Sequence, residues 1–261
     1  MDRSVEVDGS RLEVFGPMVA LAELANADGA DEILRKMKHV AFEASACEYA
    51  MFGMQVTSRY MPEPLTCVAR DYPAGFSERY FNSGWMLLDP TVAHCQVSTE
   101  PLVWRPDMYS GKSEVLLEGA RAAGLEHGIS VAYHESADVK SMISFARDKP
   151  FDDREIRYLL SLAQVTIACA HLAAKRTAIP RLVESLRNKL SPRELQCIEL
   201  LCEGKSNSVM AQIMGISEGT IEFHLRRLYD KLKVATRYQA MAVGLQLLQG
   251  YTPTAPAADS V

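Results

Sequence analysis

Residues 191–250 are punctuated by helix start and stop signals so closely spaced that only a bundle of short helices satisfies them all. Ser191-Pro192-Arg193-Glu194 is a capping box: the Ser side chain accepts from the Glu194 amide, Pro sits where no N–H is needed, and Glu194 reaches back to the cap. The helix it starts turns Leu195, Ile198, Leu201 and Cys202 inward and stops at Gly204. Asn207 is expected to cap a short second helix, Ser208–Met214, which Gly215 closes, and Ser217 to cap a third over residues 218–232. A short helix, a Gly-containing turn and a longer helix make a helix-turn-helix pattern.

On the third helix Ile221, Leu225, Leu228 and Leu232 share one face. The opposite face shows Gly219, Thr220, Phe223, Arg226, Arg227 and Asp230. Two adjacent Arg and an outward Phe suit the DNA major groove, where Arg binds phosphates or guanine edges and Phe touches thymine methyls. Gly215-Ile216-Ser217-Glu218-Gly219 also matches the G-x-S-x-G nucleophile elbow of hydrolases. That motif needs a strand before its Ser, and here an amphipathic helix precedes it, so Ser217 reads as a cap.

Charge divides the chain at the same place. The net charge is −5, which argues against a surface that coats nucleic acid or membrane along its whole length. Residues 1–180 hold 18 Lys+Arg against 25 Asp+Glu, whereas residues 181–261 hold 10 against 8, so a net of −7 is followed by +2. The six Cys form no C-x-x-C pair and lie in apolar surroundings, as free thiols in a reduced cytoplasm do. The six His show no metal-ligand spacing, so no metal site is expected. The polar N-terminus MDRSVEVDGS carries no secretory signal, and no run of about 18 apolar residues occurs. A cytoplasmic protein without a membrane span is expected.

The first 176 residues mix both periodicities. Helical patterns occupy 17–27 and 31–47, where Ile33, Leu34, Met37, Val40 and Ala41 share a face. Two strands, Tyr49–Thr57 and Leu65–Arg70, flank a turn containing Pro62 and Pro64. A helix over 73–86, a short one opened by Asp89-Pro90, and another over 112–123 follow. Strands Ile129–His134 and Ser141–Arg147 surround a polar turn, and a long helix runs from Asp152 to Lys175. This order predicts an α+β domain around a largely antiparallel sheet over 1–176, a linker over 177–190 containing Pro180, an all-α domain over 191–250, and a disordered tail, YTPTAPAADSV, over 251–261.

The C-terminal residues carry a family resemblance. Leu190-Ser-Pro-Arg-Glu194, Glu203-Gly-Lys-Ser-Asn207, Ala211, Gly215-Ile-Ser-Glu, Thr220-Ile, His224-Leu and Lys231-Leu resemble the LuxR/GerE-type DNA-binding domain over about 190–250. The resemblance implies a four-helix domain that binds double-stranded DNA as a homodimer, with a fourth helix near 236–248. Glu222 departs from the Asn or Lys more usual on that recognition helix; a carboxylate there accepts from cytosine N4 or repels phosphate.

Upstream, Asp71-Tyr-Pro, Phe76, Arg79-Tyr80, Asp89-Pro90, Trp104, Gly124-Leu-Glu-His-Gly128-Ile-Ser-Val and Ser144-Phe-Ala resemble the autoinducer-binding domain of LuxR-type quorum-sensing receptors over about 30–175. That implies an α/β/α sandwich enclosing an acyl-homoserine lactone or a related small signal. By the resemblance Asp89 accepts the ligand amide N–H, Tyr80 and Ser144 address its carbonyl, Trp104 packs over the lactone ring, Tyr72 lines the pocket, and Gly128 permits close packing. Phe76 stands where the family usually has a Trp whose indole N–H donates to the lactone carbonyl. Phe has no donor, which points to a non-standard or relaxed ligand, as in orphan members of the family.

The sequence thus points to a ligand-responsive transcriptional regulator with Thr220, Glu222, Phe223, Arg226 and Arg227 at DNA. A regulator that senses a non-lactone compound or acts without ligand is the alternative. An enzyme would need a nucleophile–base constellation, which the sequence does not display, and no cofactor is expected besides the signal itself.

Overall fold

The computed structural model describes residues 18–57 and 64–249. The expected tail over 251–261 lies outside the described residues. The chain divides into two compact units, one of Met1–Met54 with Cys67–Arg176 and one of Gln55–Thr66 with Thr177–Val261.

In the first unit a helical segment over 18–25 (α1) leads to α2, Ala30–Ser45, whose Ile33, Met37, Val40 and Ala41 are buried at helical spacing. Strands β1 (Tyr49–Val56), β2 (Leu65–Arg70), β3 (Leu102–Val103), β4 (His127–His134) and β5 (Val139–Arg147) form one antiparallel sheet in the order β2-β1-β5-β4-β3. The β4–β5 register pairs Ile129 with Phe145, Ser130 with Ser144 and Val131 with Ile143. Because side chains alternate across a sheet, Ile129, Val131, Ile143 and Phe145 face one way, and Ser130, Ser144 and Ala146 the other. The second face is covered by α3 (Ala74–Asn82) and α5 (Glu114–Ala122), whose Phe76, Tyr80, Leu116 and Ala120 share a cluster with Met51, Leu125 and Ala146. α4, Pro90–Val97, lies beside them.

The long helix α6 lies on the first face and runs over Asp153–Asn188. It continues well past Lys175, so most of the segment expected as a linker is helix, with Pro180 inside it. A helical Pro costs one hydrogen bond and a clash, about 3 kcal/mol. Buried Ala178, Ile179 and Val183 on either side of Pro180 offset that. Among the described residues α6 alone is long and apolar enough to cross a bilayer. Its Leu159, Ala163, Ile167, Ala170, Ala173 and Ala174 are buried, which accounts for that composition as a core helix. Two smaller differences have local causes. α3 stops at Asn82 rather than at residue 86, because Gly84 takes a left-handed conformation, φ 74°, and Trp85–Leu88 wind into a 3-10 turn. The two-residue β3 carries too little pattern to be read from sequence, and it pairs antiparallel with β4.

Two polar clusters tie α6 to the sheet. Arg147 is buried, donates to Glu155 at 2.6 and 3.0 Å and to the Pro150 carbonyl at 2.8 Å, and also donates to the Ser45 carbonyl. His171 is buried as well; Nδ1 meets Ser141 Oγ at 2.8 Å, Nε2 meets Glu135 at 3.0 Å, and Tyr133 packs on the ring at 4.7 Å. Lys175 also pairs with Glu135.

The second unit contains α7 (Pro192–Cys202), α8 (Asn207–Met214), α9 (Glu218–Leu232) and α10 (Arg237–Gln249). The capping box forms: Ser191 N–H donates to Glu194 at 2.7 Å, and Ser191 Oγ accepts from Glu194 N–H at 3.3 Å. Glu194 is 1% exposed and also holds Lys231 Nζ at 2.6 Å, which joins α7 to α9. The cap of α8 is Ser206 rather than Asn207: Ser206 Oγ accepts from Val209 N–H, and the Asn207 side chain instead accepts from Arg237 at 2.9 Å. Gly215 closes α8 in the left-handed conformation, and Ser217 caps α9 through Thr220 N–H at 3.1 Å.

The His171 cluster gives a pH signature. Burial holds the imidazole below its usual value of 6.5 against the opposing pull of Glu135. Burial pushes Glu135 up, but the bonds from Lys175 and His171 outweigh it and leave its carboxyl below the usual 4.5. A lowered folded-state His pKa contributes stability above 6.5 that is lost as pH falls below it, and Glu135 adds a second loss below 4.5. The urea midpoint of the first unit should therefore fall over the interval that opens as the pH drops below 6.5, and His171→Gln should flatten that part of the curve. A wild-type midpoint that is flat across this interval would contradict the assignment.

Candidate functional sites

The face of the sheet covered by α3 and α5 does not close completely. A narrow, partly open cavity of about 20 Å³ remains there. Tyr72, Phe76, Tyr80, Asp89, Trp104 and Ser144 all line it. The local sequence explains the convergence. Tyr72, Phe76 and Tyr80 recur every four residues along one side of α3 and the turn before it, so all three rings stack toward the sheet. Asp89 is the N-cap of α4, where its Oδ1 accepts from Thr91 N–H at 2.8 Å. Trp104 follows β3, and its indole lies so close over the backbone of Gly128 that a Cβ there would sit 2.5 Å from the ring.

The polar groups are bonded to one another. Tyr80 Oη donates to Asp89 Oδ2 at 2.6 Å. Trp104 Nε1 donates to Ser130 Oγ at 2.9 Å, Ser130 meets Ser144 at 2.8 Å, and Tyr72 is hydrogen-bonded to Ser144. Asp89 is 9% exposed, and burial raises its carboxyl above the usual range even though the Tyr80 and Thr91 bonds pull it down. Burial and the Asp89 charge likewise raise the Tyr80 and Tyr109 hydroxyls, so both stay protonated donors. Among the described residues no Lys, Arg or His lines the cavity. A neutral ligand offering an N–H or O–H to Asp89 fits this chemistry, and an anion does not.

Phe76 lies at the centre of the aromatic wall, with ring centroids 5.7 Å from Tyr80, 6.0 Å from Tyr72 and 6.0 Å from Trp85. It fills space and offers no donor. Tyr109, Thr91 and Ser130 were not legible as part of the site. Tyr109 lies in an irregular stretch with no periodicity, and Ser130 joins only through the β4–β5 register.

A Ser–His–Glu constellation, which the sequence did not display, does assemble from Ser141, His171 and Glu135. It lies on the opposite face of the sheet, where Ser141 is 3% and His171 2% exposed, so no substrate can reach the hydroxyl. Its role is the α6 clamp described above. Among the described residues no group of three or more His, Cys, Asp or Glu gathers to hold a metal, and the cysteines are free.

In the second unit α9 buries Ile221, Leu225, Leu228 and Leu232 and exposes Glu222, Phe223, Arg226 and Arg227, while Thr220 is half-buried with its hydroxyl 2.8 Å from Ser217. The exposed face has two edges. Along one, Arg227 sits 5.7 Å from the Phe223 ring and 3.6 Å from Glu194. Along the other, Glu222 and Arg226 make no hydrogen bond or ion pair among the described residues. A convex face with two Arg and a 51% exposed Phe matches what enters a major groove.

Comparison with known proteins agrees with both halves. The autoinducer binding domain family matches residues 30–174, and the bacterial regulatory proteins of the luxR family (GerE) match residues 188–243. The transcriptional activator protein AnoR of Acinetobacter nosocomialis is 28% identical, over 82% of this chain and 92% of its own. The transcriptional activator protein VanR of Vibrio anguillarum is 30% identical, over 78% of this chain and 84% of its own. The crystal structure of Escherichia coli SdiA shares the fold, with a TM-score of 0.57 at 21% identity over 87% of this chain and 94% of that one. The chain belongs to the LuxR family of transcriptional regulators, an autoinducer-binding domain followed by a helix-turn-helix DNA-binding domain.

Proposed function

We propose that this chain is a regulator in which a neutral small signal fills the cavity of the first unit and stabilises a homodimer that reads DNA through α9. The observation that carries the reading is the convergence of Tyr72, Phe76, Tyr80, Asp89, Trp104 and Ser144 on one cavity built around a buried carboxylate. Asp89 accepts the signal's N–H or O–H, and the hydroxyls of Tyr80 and Ser144 address its carbonyl. Tyr72 and Trp104 supply the apolar walls. Ligand that binds only the folded unit stabilises it by mass action. Two recognition helices then reach successive major grooves about one helical turn apart on a pseudo-palindromic site. The protein acts in the cytoplasm, where that DNA lies. Thr220 and Phe223 contact the groove, Glu222 and Arg226 face base edges, and Arg227, drawn toward Glu194, approaches phosphate.

Phe76 bears on the ligand class. An acyl-homoserine lactone finds no donor at Phe76 for its ring carbonyl; either another donor in the cavity, such as Tyr109, reaches it, or the carbonyl stays unpaired at a loss of about 1–3 kcal/mol, roughly tenfold to a hundredfold in affinity. The missing donor at Phe76 favours the second reading, an orphan regulator that senses a non-lactone compound or works unliganded. Titrating a panel of acyl-homoserine lactones against melting temperature separates the two. Ordinary lactones should stabilise the wild type only at micromolar concentrations, and Phe76→Trp should tighten them about tenfold. A saturating shift of the wild type at nanomolar lactone would sink this account of Phe76. On the DNA side, Arg227→Ala should weaken operator binding across sequences and lower its salt slope by about one, and Arg226→Ala should weaken it by losing preference at the base it reads. Unchanged affinity in both would show that this face does not meet DNA.

A further inference from the structure

Four residues apart on one edge of α9, Glu222 and Arg226 are spaced for an ion pair, yet among the described residues neither is bonded to the other or to a third residue. Arg227 differs: it is held between the Phe223 ring and the buried Glu194. The free pair is therefore one carboxylate and one guanidinium, adjacent on an exposed edge of the helix.

A carboxylate pushed toward DNA is repelled by phosphate and by most base edges. In the major groove guanine shows two acceptors, thymine an acceptor and a methyl, and adenine a donor flanked by the N7 acceptor. Cytosine alone offers an amino donor, N4, flanked on one side by a C–H and not by an acceptor, the O6 of its paired guanine lying on the other. Arginine has the opposite preference and pairs bidentately with guanine O6 and N7. Four helical residues advance about 6 Å, close to two base steps at about 3.4 Å each. The geometry points to Glu222 and Arg226 as a joint reader: Glu222 accepts from cytosine N4, and Arg226 donates to a guanine one or two steps away. Glu222 also acts by exclusion, because guanine or thymine at its position would set acceptor against carboxylate. The inference rests on the reading of α9 as the DNA-contacting helix and adds which bases that helix selects.

Selection from randomised duplexes tests it, using the full chain purified from cells grown with culture extract of the source organism, alongside Glu222→Ala, Glu222→Gln and Arg226→Ala. The wild type should enrich half-sites with a cytosine and, one or two steps away, a guanine. Glu222→Ala should lose the cytosine preference at least fivefold while tolerating guanine and thymine there. Glu222→Gln should shift that position toward adenine, whose donor and acceptor a carboxamide matches. Arg226→Ala should lose only the guanine. A Glu222→Ala protein that enriches the same bases as wild type would overturn the inference and leave DNA binding intact. Failure of folded wild type to enrich any duplex would overturn DNA reading by α9, and this inference with it.

Discussion

A carboxylate buried without a cation is the constraint around which the sensor unit is arranged. Asp89 is nearly sealed from solvent, and among the described residues no Lys, Arg or His lines the cavity it faces. Burying an unpaired charge in apolar surroundings is costly, so hydrogen bonds must carry the compensation. The α4 cap supplies Thr91 N–H and the wall of α3 supplies the Tyr80 hydroxyl. Those two requirements fix where α3 and α4 meet, and hence where Tyr72 and Phe76 stand. A carboxylate oxygen has room for a further donor, and the proposed signal would add its N–H or O–H to the bonds that Asp89 already accepts from Tyr80 and the start of α4.

The other face of the sheet has the opposite economy. There Arg147, Glu155, His171, Glu135 and Lys175 satisfy one another and hold α6 in place. α6 runs unbroken to Asn188, three residues short of the Ser191 cap that opens α7. Covalent continuity between ligand domain and DNA domain is therefore helical for most of what composition suggested was a loose linker. Pro180 marks the one turn where the intrahelical bond is missing.

What could be read in the sequence was local. Caps, left-handed glycines and helical periodicity announce themselves within a turn or two, so α7 and α9 were legible, whereas Tyr72, Phe76 and Tyr80 were named only through the family resemblance. Even there the resolution was one residue, since Ser206 and Asn207 are both good caps and only the distant Arg237 decides between them. Register and tertiary pairing left no local trace. Ser130 reaches Ser144 only across the β4–β5 ladder, and the Ser141–His171–Glu135 cluster joins residues thirty and thirty-six positions apart. Pro180 misled because a breaker dominates a local reading, whereas burial of Ile179 and Val183 decides the outcome. The −5 net charge misled for a related reason: a whole-chain sum hides an acidic sensor followed by a slightly basic reader.

The central claim is that the cavity around Asp89 receives a neutral signal bearing a hydrogen-bond donor. Mass spectrometry of the full chain, purified under native conditions from cells grown with culture extract of the source organism, tests it most directly. The account predicts one uncharged compound with an N–H or O–H group, retained at close to one per chain by wild type and lost by Asp89→Ala that remains folded. Recovery of an anionic compound, or equal retention by wild type and Asp89→Ala, would contradict it.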